Sequence, residues 1–292
     1  MKWIDLHTHS TFSDGTCSPA MLIDLAVKHG LGALALTDHD TVAGIPDFLS
    51  YAQARDICVL AGIEISAWFG QESLHILGYG IDHRDDNLLK ALGEIQQARH
   101  QRNLRILAKL ADMGIGIRYA NIENQENGQV GRPHIARELI RLGVVHDMHT
   151  AFVRYLRRGA AAHVESLRIH ALDAIRLIAA AGGAPVLAHP AVMGSTLQGL
   201  PDLLPELRRA GLVGLEVFYP AHTRKQHQQL LQLADEHKLI ATGGTDFHSD
   251  SAGGFPLGGS RHSVRVPFTC FTELAEFLTS PPTSTPSGRE QQ

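Results

Sequence analysis

The chain alternates short apolar runs with longer segments in which apolar residues recur every three or four positions. The longer segments, such as residues 19–29, 172–181 and 224–237, have the period of amphipathic helices. Strands separated by helices of this length predict parallel pairing, with the helices outside the sheet. The predicted strands are residues 2–6, 31–36, 58–65, 74–79, 185–188, 213–218 and 239–242.

Seven strands in this arrangement are compatible with two α/β architectures. One is a barrel related to the eight-stranded (β/α) barrel, and the other is an open, doubly wound sheet. Both architectures place their functional sites at the carboxyl ends of the strands, so candidate chemistry is expected at those ends.

The alternation is interrupted between residues 99 and 168. This segment contains eleven arginines and one lysine against six acidic residues, a net charge of +6 in a chain of net charge −4, which leaves −10 for the rest. Such a segment predicts an inserted, mainly helical subdomain facing an anionic ligand, and a solvated arginine-rich helix face is the alternative. The predicted organisation is a barrel from residues 1–98 and 169–279, the insertion at 99–168 covering the site, and a disordered Pro/Ser/Thr-rich tail at 280–292.

Composition and charge exclude several classes of protein. Hydrophobic residues make up 44% of the chain, but no apolar run is long enough to span a bilayer, and the N-terminus lacks the form of a signal peptide. The three cysteines, Cys17, Cys58 and Cys270, lack zinc-site spacing and favour a reducing compartment. We therefore expect a cytoplasmic globular protein without membrane contact or an obligate protein partner.

The 18 histidines are the most informative feature of the composition, because imidazole binds divalent transition metals and exchanges protons near neutral pH. His7 and His9 follow the first strand two residues apart, so their side chains share one face. Glu64 lies inside an apolar strand, where burying an unpaired carboxylate costs several kcal/mol, so this residue requires a cation. Other strands and loops add Asp14, His39, His75, His189, Asp246 and His248.

The types of these residues define the chemistry that they would support together. Imidazole and carboxylate ligands without thiolates suit Mn²⁺, Fe²⁺ or Zn²⁺. Several such ions balanced by only three carboxylates retain a positive charge, which favours a phosphate dianion and a metal-bridging hydroxide, and therefore phosphoester hydrolysis. We expect Asp5, Asp38 and Asp40, which adjoin the ligands in sequence, to orient imidazole rings.

Six segments resemble motifs of the polymerase-and-histidinol-phosphatase (PHP) family: HTHS, TDHDT, GIEIS, LHILGYG, LAHP and GTDFHS. The resemblance extends from residue 2 to about residue 279. It implies a distorted seven-stranded (β/α) TIM-like barrel holding two to three divalent ions, with Mn²⁺ favoured over Zn²⁺ or Fe²⁺, and an attacking hydroxide held by Glu64. The ligand sets that it implies are His7, His9, Glu64 and Asp246 for the first metal, a bridging Glu64 with His75 and His189 for the second, and Asp14, His39 and His248 for the third.

The basic segment contains GRPHIA at residues 131–136. This motif resembles the branch of the family that acts on nucleoside 3′,5′-bisphosphates and on the 5′ ends of short RNA. The resemblance implies that Arg132 and His134 hold phosphate groups, and a planar guanidinium near a histidine is a suitable phosphate clamp. A helix start is the alternative, because Pro133 suits a first helical position.

Three further residues are candidates for substrate binding. Arg158, within YLRRG at residues 155–159, resembles a second anion contact of the same branch. Tyr219 and His222 follow the sixth predicted strand, at the barrel mouth, where contact with phosphate or base is expected. His222 is also a candidate general acid, and packing or a simple turn is the alternative for Tyr219.

The expected function is hydrolysis of the 3′-phosphate of a nucleoside 3′,5′-bisphosphate to a 5′-nucleotide and phosphate, with 5′-to-3′ trimming of short RNA as a related activity. Two alternatives stay open. A phosphatase for histidinol phosphate or another small monoester leaves the GRPHIA segment without an obvious role. A non-catalytic, metal-containing nucleic-acid-binding domain does not need the complete ligand set.

Overall fold

The computed structural model describes residues 2–123, 128–165, 169–192, 197–249, 254–260 and 264–280. The strands are β1 (Trp3–Asp5), β2 (Ala33–Leu36), β3 (Cys58–Phe69), β4 (Glu72–Tyr79), β5 (Ile169–His170), β6 (Ala184–Leu187), β7 (Gly214–Phe218), β8 (Ile240–Gly243) and β9 (Val266–Pro267). The helices are α1 (Pro19–Lys28), α2 (Ile45–Ala52), α3 (Asp86–Asp112), α4 (Tyr119–Glu123), α5 (Arg132–Arg141), α6 (Met148–Ala151), α7 (Ala171–Ala180), α8 (Leu200–Ala210), α9 (Arg224–Glu236) and α10 (Thr269–Thr279). A π-helix occupies Phe152–Leu156, and a 3₁₀ turn occupies Leu197–Gly199. Within these described ranges, no helix combines the length and the apolar character that crossing a bilayer requires.

The described strands form one sheet that curves into a nearly closed barrel. Their order is β8-β7-β6-β4-β3-β2-β1-β9, and β5 pairs with β3 beside this path. The chain after β1 meets the chain after β8 through a parallel bridge between Thr8 and Phe247. In addition, the amide of Leu6 donates to the carbonyl of Gly243 at 3.2 Å. The barrel, and not the open doubly wound sheet, is therefore the architecture, as the family resemblance implies.

The predicted strands are all present, but the middle of the sheet differs from the prediction in strand direction. Neighbours within β1–β2–β3 and within β6–β7–β8 are parallel, as expected. β4 instead runs antiparallel to both β3 and β6. Only Gly70 and Gln71 separate β3 from β4, and no crossover helix fits in so short a connection. Gly70 has a φ of +59°, which suits a tight hairpin turn.

The basic segment has a hydrophobic core of its own. α3 begins after the N-cap Asp85 and continues to Asp112, so the predicted boundary at residue 99 lies inside a continuous helix. A separate cluster of buried side chains consists of described residues from Ile106 to Ala162. The larger barrel core lies between the sheet and its outer helices. Apart from Ser280, the predicted tail lies outside the described residues.

The close approach of β1 and β8 leaves no room for a side chain at Gly244. A Cβ atom there would lie 2.3 Å from the Cβ and 2.4 Å from the backbone nitrogen of His7. We expect Gly244→Ala to lower the free energy of unfolding by about 1–3 kcal/mol, measured by urea denaturation, because the backbone must move to relieve the overlap. Gly93→Ala in α3 is the matched control, since no atom beyond the neighbouring helix backbone lies within 4 Å of its Cβ position, and it should stabilise the helix by about 0.5–1 kcal/mol. Equal stability of Gly244→Ala and the unmodified protein would contradict this packing.

Candidate metal centre

All nine predicted metal ligands lie at one end of the barrel. Most of them lie at or just after the carboxyl ends of parallel strands, and His75 reaches the same place from the antiparallel β4. Together with Glu216 they form four overlapping groups, and in each group the ligand atoms lie within 4.8 Å of one another. The groups are His9, Asp14, His39 and His248; His7, His9, Glu64 and Asp246; His7, His189 and Glu216; and His39, Glu64 and His75. This clustering indicates more than one metal site.

The central group consists of His7, His9, Glu64 and Asp246, and its four ligand atoms are spaced as a metal ion requires. The Nε2 atom of His7 lies 3.3 Å from Glu64 Oε2 and 3.4 Å from Asp246 Oδ1, and His9 Nε2 lies 3.3 and 3.0 Å from the same oxygens. Four atoms held tetrahedrally at about 2.0–2.1 Å from one ion would be about 3.3 Å apart. All four atoms are buried without a hydrogen-bond partner. The donor set therefore fits a divalent cation.

Glu64 contacts the imidazoles of more than one group. Its Oε1 lies 2.8 Å from His75 Nδ1 and 3.0 Å from His189 Nε2, whereas its Oε2 lies 2.9 Å from His39 Nδ1. Burial would raise the pKa of this fully buried carboxyl, but the charges of His39, His75 and then His7 outweigh it and bring the pKa well below its usual range. Glu64 is therefore an ionised carboxylate whose two oxygens face different histidines, as a residue shared by two metal ions must be.

The outer group of His9, Asp14, His39 and His248 is more open. His248 Nε2 lies 3.1 Å from Asp14 Oδ1, but His39 Nε2 lies 3.9 Å from Asp14 Oδ2. Burial opposes protonation of His248, yet the carboxylates of Asp14 and Asp246 raise its pKa to about 10. Burial, and then His248 and His39, lower the pKa of His9 to about 3. His9 is thus neutral and ready to bind a cation at pH 7, whereas His248 must lose a proton to the solvent when it binds a cation.

A cavity joins this ligand cluster to the basic segment. Its lining includes Asp14 and His75 from the cluster and three arginines from the segment, Arg99, Arg102 and Arg132. Arg99 and Arg102 lie on α3 and Arg132 begins α5. Arginines that share a cavity with a cluster of cation ligands favour an anionic ligand that contacts both. Arg132 was predicted from its motif, whereas Arg99 and Arg102 were not, because nothing in the sequence distinguishes them from the other arginines of the segment.

Comparison with known proteins agrees with this geometry. A protein-family model described as the PHP domain matches residues 5–178. The chain belongs to the PHP family. It is 36% identical to a 3′,5′-nucleoside bisphosphate phosphatase of Chromobacterium violaceum over 92% of this chain and 94% of that protein, and 35% identical to a 5′-3′ exoribonuclease of Haemophilus influenzae over 88% and 92%. The structure of an amidohydrolase from Chromobacterium violaceum, with bound sulfate and no metal, has a TM-score of 0.85 at 33% identity and covers 94% of this chain and 96% of its own.

The three aspartates expected to orient imidazoles in this PHP barrel instead hold backbone and hydroxyl groups. Asp5 accepts hydrogen bonds from the amide of Thr245 at 2.9 Å, its hydroxyl at 2.6 Å and the amide of Gly258 at 2.8 Å. Asp38 accepts from the hydroxyls of Ser10 and Ser13, both at 2.6 Å. These contacts fix the chain after β1 and β8, so both aspartates act on the loops that present the ligands rather than on the rings.

Asp40 is likewise a loop anchor. Its carboxylate accepts a hydrogen bond from the amide of Ser66 at 2.7 Å and pairs with the guanidinium of Arg99. The side chain of Gln96 donates to its carbonyl at 3.0 Å. Asp40 therefore ties the loop that presents His39 to both β3 and α3. Sequence adjacency to a histidine suggested contact with an imidazole, but side chains next to a ligand point elsewhere when the ligand points into the site.

Backbone strain is concentrated at the cluster. Among the described residues, the non-glycine residues with positive φ are Asp40 at 52°, His189 at 27°, Lys238 at 50° and Asp246 at 53°. Left-handed conformations cost about 1–3 kcal/mol each and persist only where surrounding contacts enforce them. Two of the four are predicted metal ligands and Asp40 adjoins a third. Contacts with the surrounding structure therefore hold the backbone of these ligands in conformations that it would not adopt without them.

One buried acidic residue at the site was not predicted. Glu216 on β7 is fully buried, its Oε1 lies 3.0 Å from His7 Nδ1, and its Oε2 accepts a hydrogen bond from the amide of His189 at 2.7 Å. The available signal was an acidic residue inside the apolar run GLEVF. The same signal identified Glu64, so it applies equally to Glu216.

The structure also locates the predicted substrate-binding residues of the basic segment. Arg132 donates from Nη1 to the carbonyl of Leu156 at 3.3 Å and lines the cavity. His134 is 2% exposed, and its Nδ1 accepts a hydrogen bond from the amide of Gly131 at 2.8 Å, so the helix start considered as the alternative is present. Arg158 donates to the carbonyl of Gln71 in the β3–β4 turn at 3.1 Å. Phosphate contacts by these side chains stay predictions.

Tyr219 and His222 lie together beside the cluster. The hydroxyl of Tyr219 donates to Asp246 Oδ2 at 3.2 Å, and its ring centroid lies 5.4 Å from that of His189. Burial, followed by Asp246, raises the pKa of Tyr219, so the hydroxyl stays a donor. His222 Nδ1 lies 2.9 Å from the carbonyl of Val217, and burial lowers the pKa of this histidine. Tyr219 thus contacts a predicted ligand directly, whereas His222 packs against Tyr219 at 5.1 Å between ring centroids.

Removal of metal is expected to lower the thermal midpoint of the protein by about 5–11 °C. A metal ion that binds only the folded state, at a concentration about 100 times its Kd, adds about 2.7 kcal/mol to the free energy of unfolding. Each kcal/mol shifts the thermal midpoint of a large domain by about 2–4 °C. Differential scanning calorimetry before and after EDTA measures the shift, and excess Mn²⁺ should reverse it. Equal midpoints at every metal concentration would contradict a cation-binding role for the four groups.

Proposed function

We propose that this PHP protein is a metal-dependent phosphoesterase that hydrolyses the 3′-phosphate of nucleoside 3′,5′-bisphosphates to a 5′-nucleotide and phosphate. The supporting observation is that one cavity is lined by predicted metal ligands and also by Arg99, Arg102 and Arg132. In a substrate with two phosphates, one phosphate would lie at the metal ligands while the other contacts the arginines. The names of the two relatives, a 3′,5′-nucleoside bisphosphate phosphatase and a 5′-3′ exoribonuclease, support this substrate class and short RNA as a related substrate.

We assign up to three divalent ions, with Mn²⁺ favoured, to the ligand sets that the sequence predicts. When bound, these ions would acidify water and neutralise the charge of the transferring phosphoryl group. Glu64 holds the shared position because its two oxygens face separate histidines. Tyr219 restrains Asp246 through its hydroxyl and keeps its proton.

The basic segment supplies substrate binding in this proposal. Its described residues from Ile106 to Ala162 include a hydrophobic cluster separate from the barrel core. Arg132, with His134 and Arg158 as further contacts, binds the phosphate that is not cleaved. A guanidinium binds a phosphate through two parallel hydrogen bonds, which fixes orientation as well as charge. His222, expected from the sequence as a general acid, is poorly suited to that role, because burial lowers its pKa and Nδ1 of the neutral ring donates its one proton to the carbonyl of Val217. The free thiols of the chain support a reducing, cytoplasmic setting.

The test is phosphate release from adenosine 3′,5′-bisphosphate by protein loaded with Mn²⁺ and by protein treated with EDTA. The expected result is metal-dependent release, with 5′-AMP identified by chromatography as the second product. A preference for histidinol phosphate in the same assay would keep the metal chemistry and refute the substrate. Inactive metal-loaded protein that binds short RNA would refute the phosphoesterase and favour a nucleic-acid-binding domain.

A further inference from the structure

Glu216 is connected to two predicted metal ligands at once. It lies on β7 with no exposed surface, and its two carboxylate oxygens have different partners. Oε1 lies 3.0 Å from Nδ1 of His7, a member of the central group. Oε2 lies 2.7 Å from the amide nitrogen of His189, whose ring contacts the other side of Glu64. A single carboxylate thus connects ligands that face opposite oxygens of Glu64.

The contact with His7 determines which ring nitrogen faces the metal position. A carboxylate only accepts, so Nδ1 of His7 must bear the proton that it donates to Glu216. In the neutral ring the proton is then absent from Nε2, whose lone pair faces Glu64 Oε2 and Asp246 Oδ1 at 3.3 and 3.4 Å. Histidines that bind metals through one nitrogen need the other nitrogen held in this way.

The contact with His189 stabilises a strained backbone. His189 has a φ of 27° and is followed by Pro190, so the turn is costly for a residue with a side chain. The hydrogen bond from its amide to Glu216 holds this turn. In that position His189 Nε2 lies 3.0 Å from Glu64 Oε1. Without the carboxylate, Nδ1 of His7 and the backbone amide of His189 would both lose their hydrogen-bond acceptor.

We infer that Glu216 is a positioning residue that orients His7 and His189 together and so sets metal affinity at both sides of Glu64, without touching the substrate. This inference rests on the metal dependence in the proposed function. Glu216 also satisfies the distance criterion for a ligand beside His7 and His189. Its two oxygens, however, accept hydrogen bonds from Nδ1 of His7 and from the amide of His189, so we assign it to holding these two ligands, and the number of ions at saturation distinguishes this role from ligation.

The test compares Mn²⁺ binding of the unmodified protein and Glu216→Gln, titrated by the electron paramagnetic resonance of free Mn²⁺. The backbone amide of His189 can only donate, so the glutamine oxygen must face it and the glutamine NH₂ must face His7 Nδ1. His7 is then forced into the opposite tautomer, with a proton on Nε2. We expect the Kd for Mn²⁺ to rise about 10- to 100-fold, the usual effect of losing such a partner, with the number of ions at saturation unchanged.

Two further variants make the result specific. Glu216→Asp keeps the charge but shortens the reach, so it should also weaken Mn²⁺ binding if position matters, and it replaces Glu216→Gln if that variant does not fold. Tyr79→Phe changes a fully buried neighbour of Glu216 and should leave the Kd unchanged. An unchanged Kd in Glu216→Gln or Glu216→Asp, an equal loss in Tyr79→Phe, or one fewer ion at saturation would each overturn the inference. The binding readout does not depend on the substrate, so failure of the proposed function would appear separately, as inactivity of fully loaded unmodified protein.

Discussion

Glu64→Gln is expected to reduce kcat/KM for metal-dependent phosphate release by about 100- to 1,000-fold, the largest effect of any single substitution in the site. The two oxygens of Glu64 lie within 3.0 Å of three imidazoles on opposite sides. Glutamine has nearly the same shape but offers one neutral oxygen and an NH₂ group that does not bind metals. Steady-state kinetics and metal content by mass spectrometry measure the two consequences, and both should fall together.

The matched control for this prediction is Glu94→Gln, which makes the same chemical change at an exposed position of α3. It should keep the metal content and the activity of the unmodified protein. Full metal content and full activity in Glu64→Gln would show that Glu64 is not shared between metal positions. Loss of activity with all ions retained would assign the residue to the reaction and not to metal binding.

Arg132→Ala is expected to lower kcat/KM for the bisphosphate by about 10- to 150-fold, because a lost hydrogen bond to a charged group costs about 1.5–3 kcal/mol. The metal content should not change, since the guanidinium lies in the cavity lining and outside the four ligand groups. Kinetics with adenosine 3′,5′-bisphosphate and with adenosine 3′-monophosphate separate binding of the second phosphate from cleavage. The loss should be large for the first substrate and small for the second.

Two variants control the arginine experiment. Arg176→Ala removes an exposed arginine of α7 that pairs only locally with Asp173 at 2.9 Å, and it should leave both substrates unaffected. Arg132→Lys retains the charge but not the paired hydrogen bonds, so an intermediate loss is expected. Equal losses on both substrates in Arg132→Ala would assign the arginine to the cleaved phosphate, and no loss would remove it from the site.

The sequence was sufficient to predict the seven main strands and to single out polar residues that the fold brings together at one end of the barrel, because both depend on local patterns. Apolar runs reveal strands, and a charged residue buried inside such a run needs a partner that offsets the cost of its burial. Glu64 is the clearest example, since it lies inside β3 with no exposed surface. Because parallel strands have their carboxyl ends at the same edge of the sheet, residues at those ends are expected to lie close together.

The remaining features depend on contacts between distant segments. The general expectation of parallel pairing does not hold for β3 and β4, because the pattern left eight residues between them unassigned where both strands in fact extend to a two-residue turn. β5 and β9 are only two residues long and have no detectable period. Thr245, which donates to Asp5, and His7, which donates to Glu216, each lie more than 200 residues from their acceptor in sequence, so no local pattern specifies these pairs.

The ratio of kcat/KM for adenosine 3′,5′-bisphosphate to that for adenosine 3′-monophosphate tests most directly whether the basic segment binds a second phosphate. Both substrates present the same 3′-phosphate to the metal ions, and only the first has a second phosphate for the arginines that line the cavity. With Mn²⁺-loaded protein, the predicted ratio is about 10 to 150, the value of one charge-assisted phosphate contact. A ratio of one or less would show that the second phosphate contributes nothing, and would contradict the account of the basic segment as the element that selects the substrate.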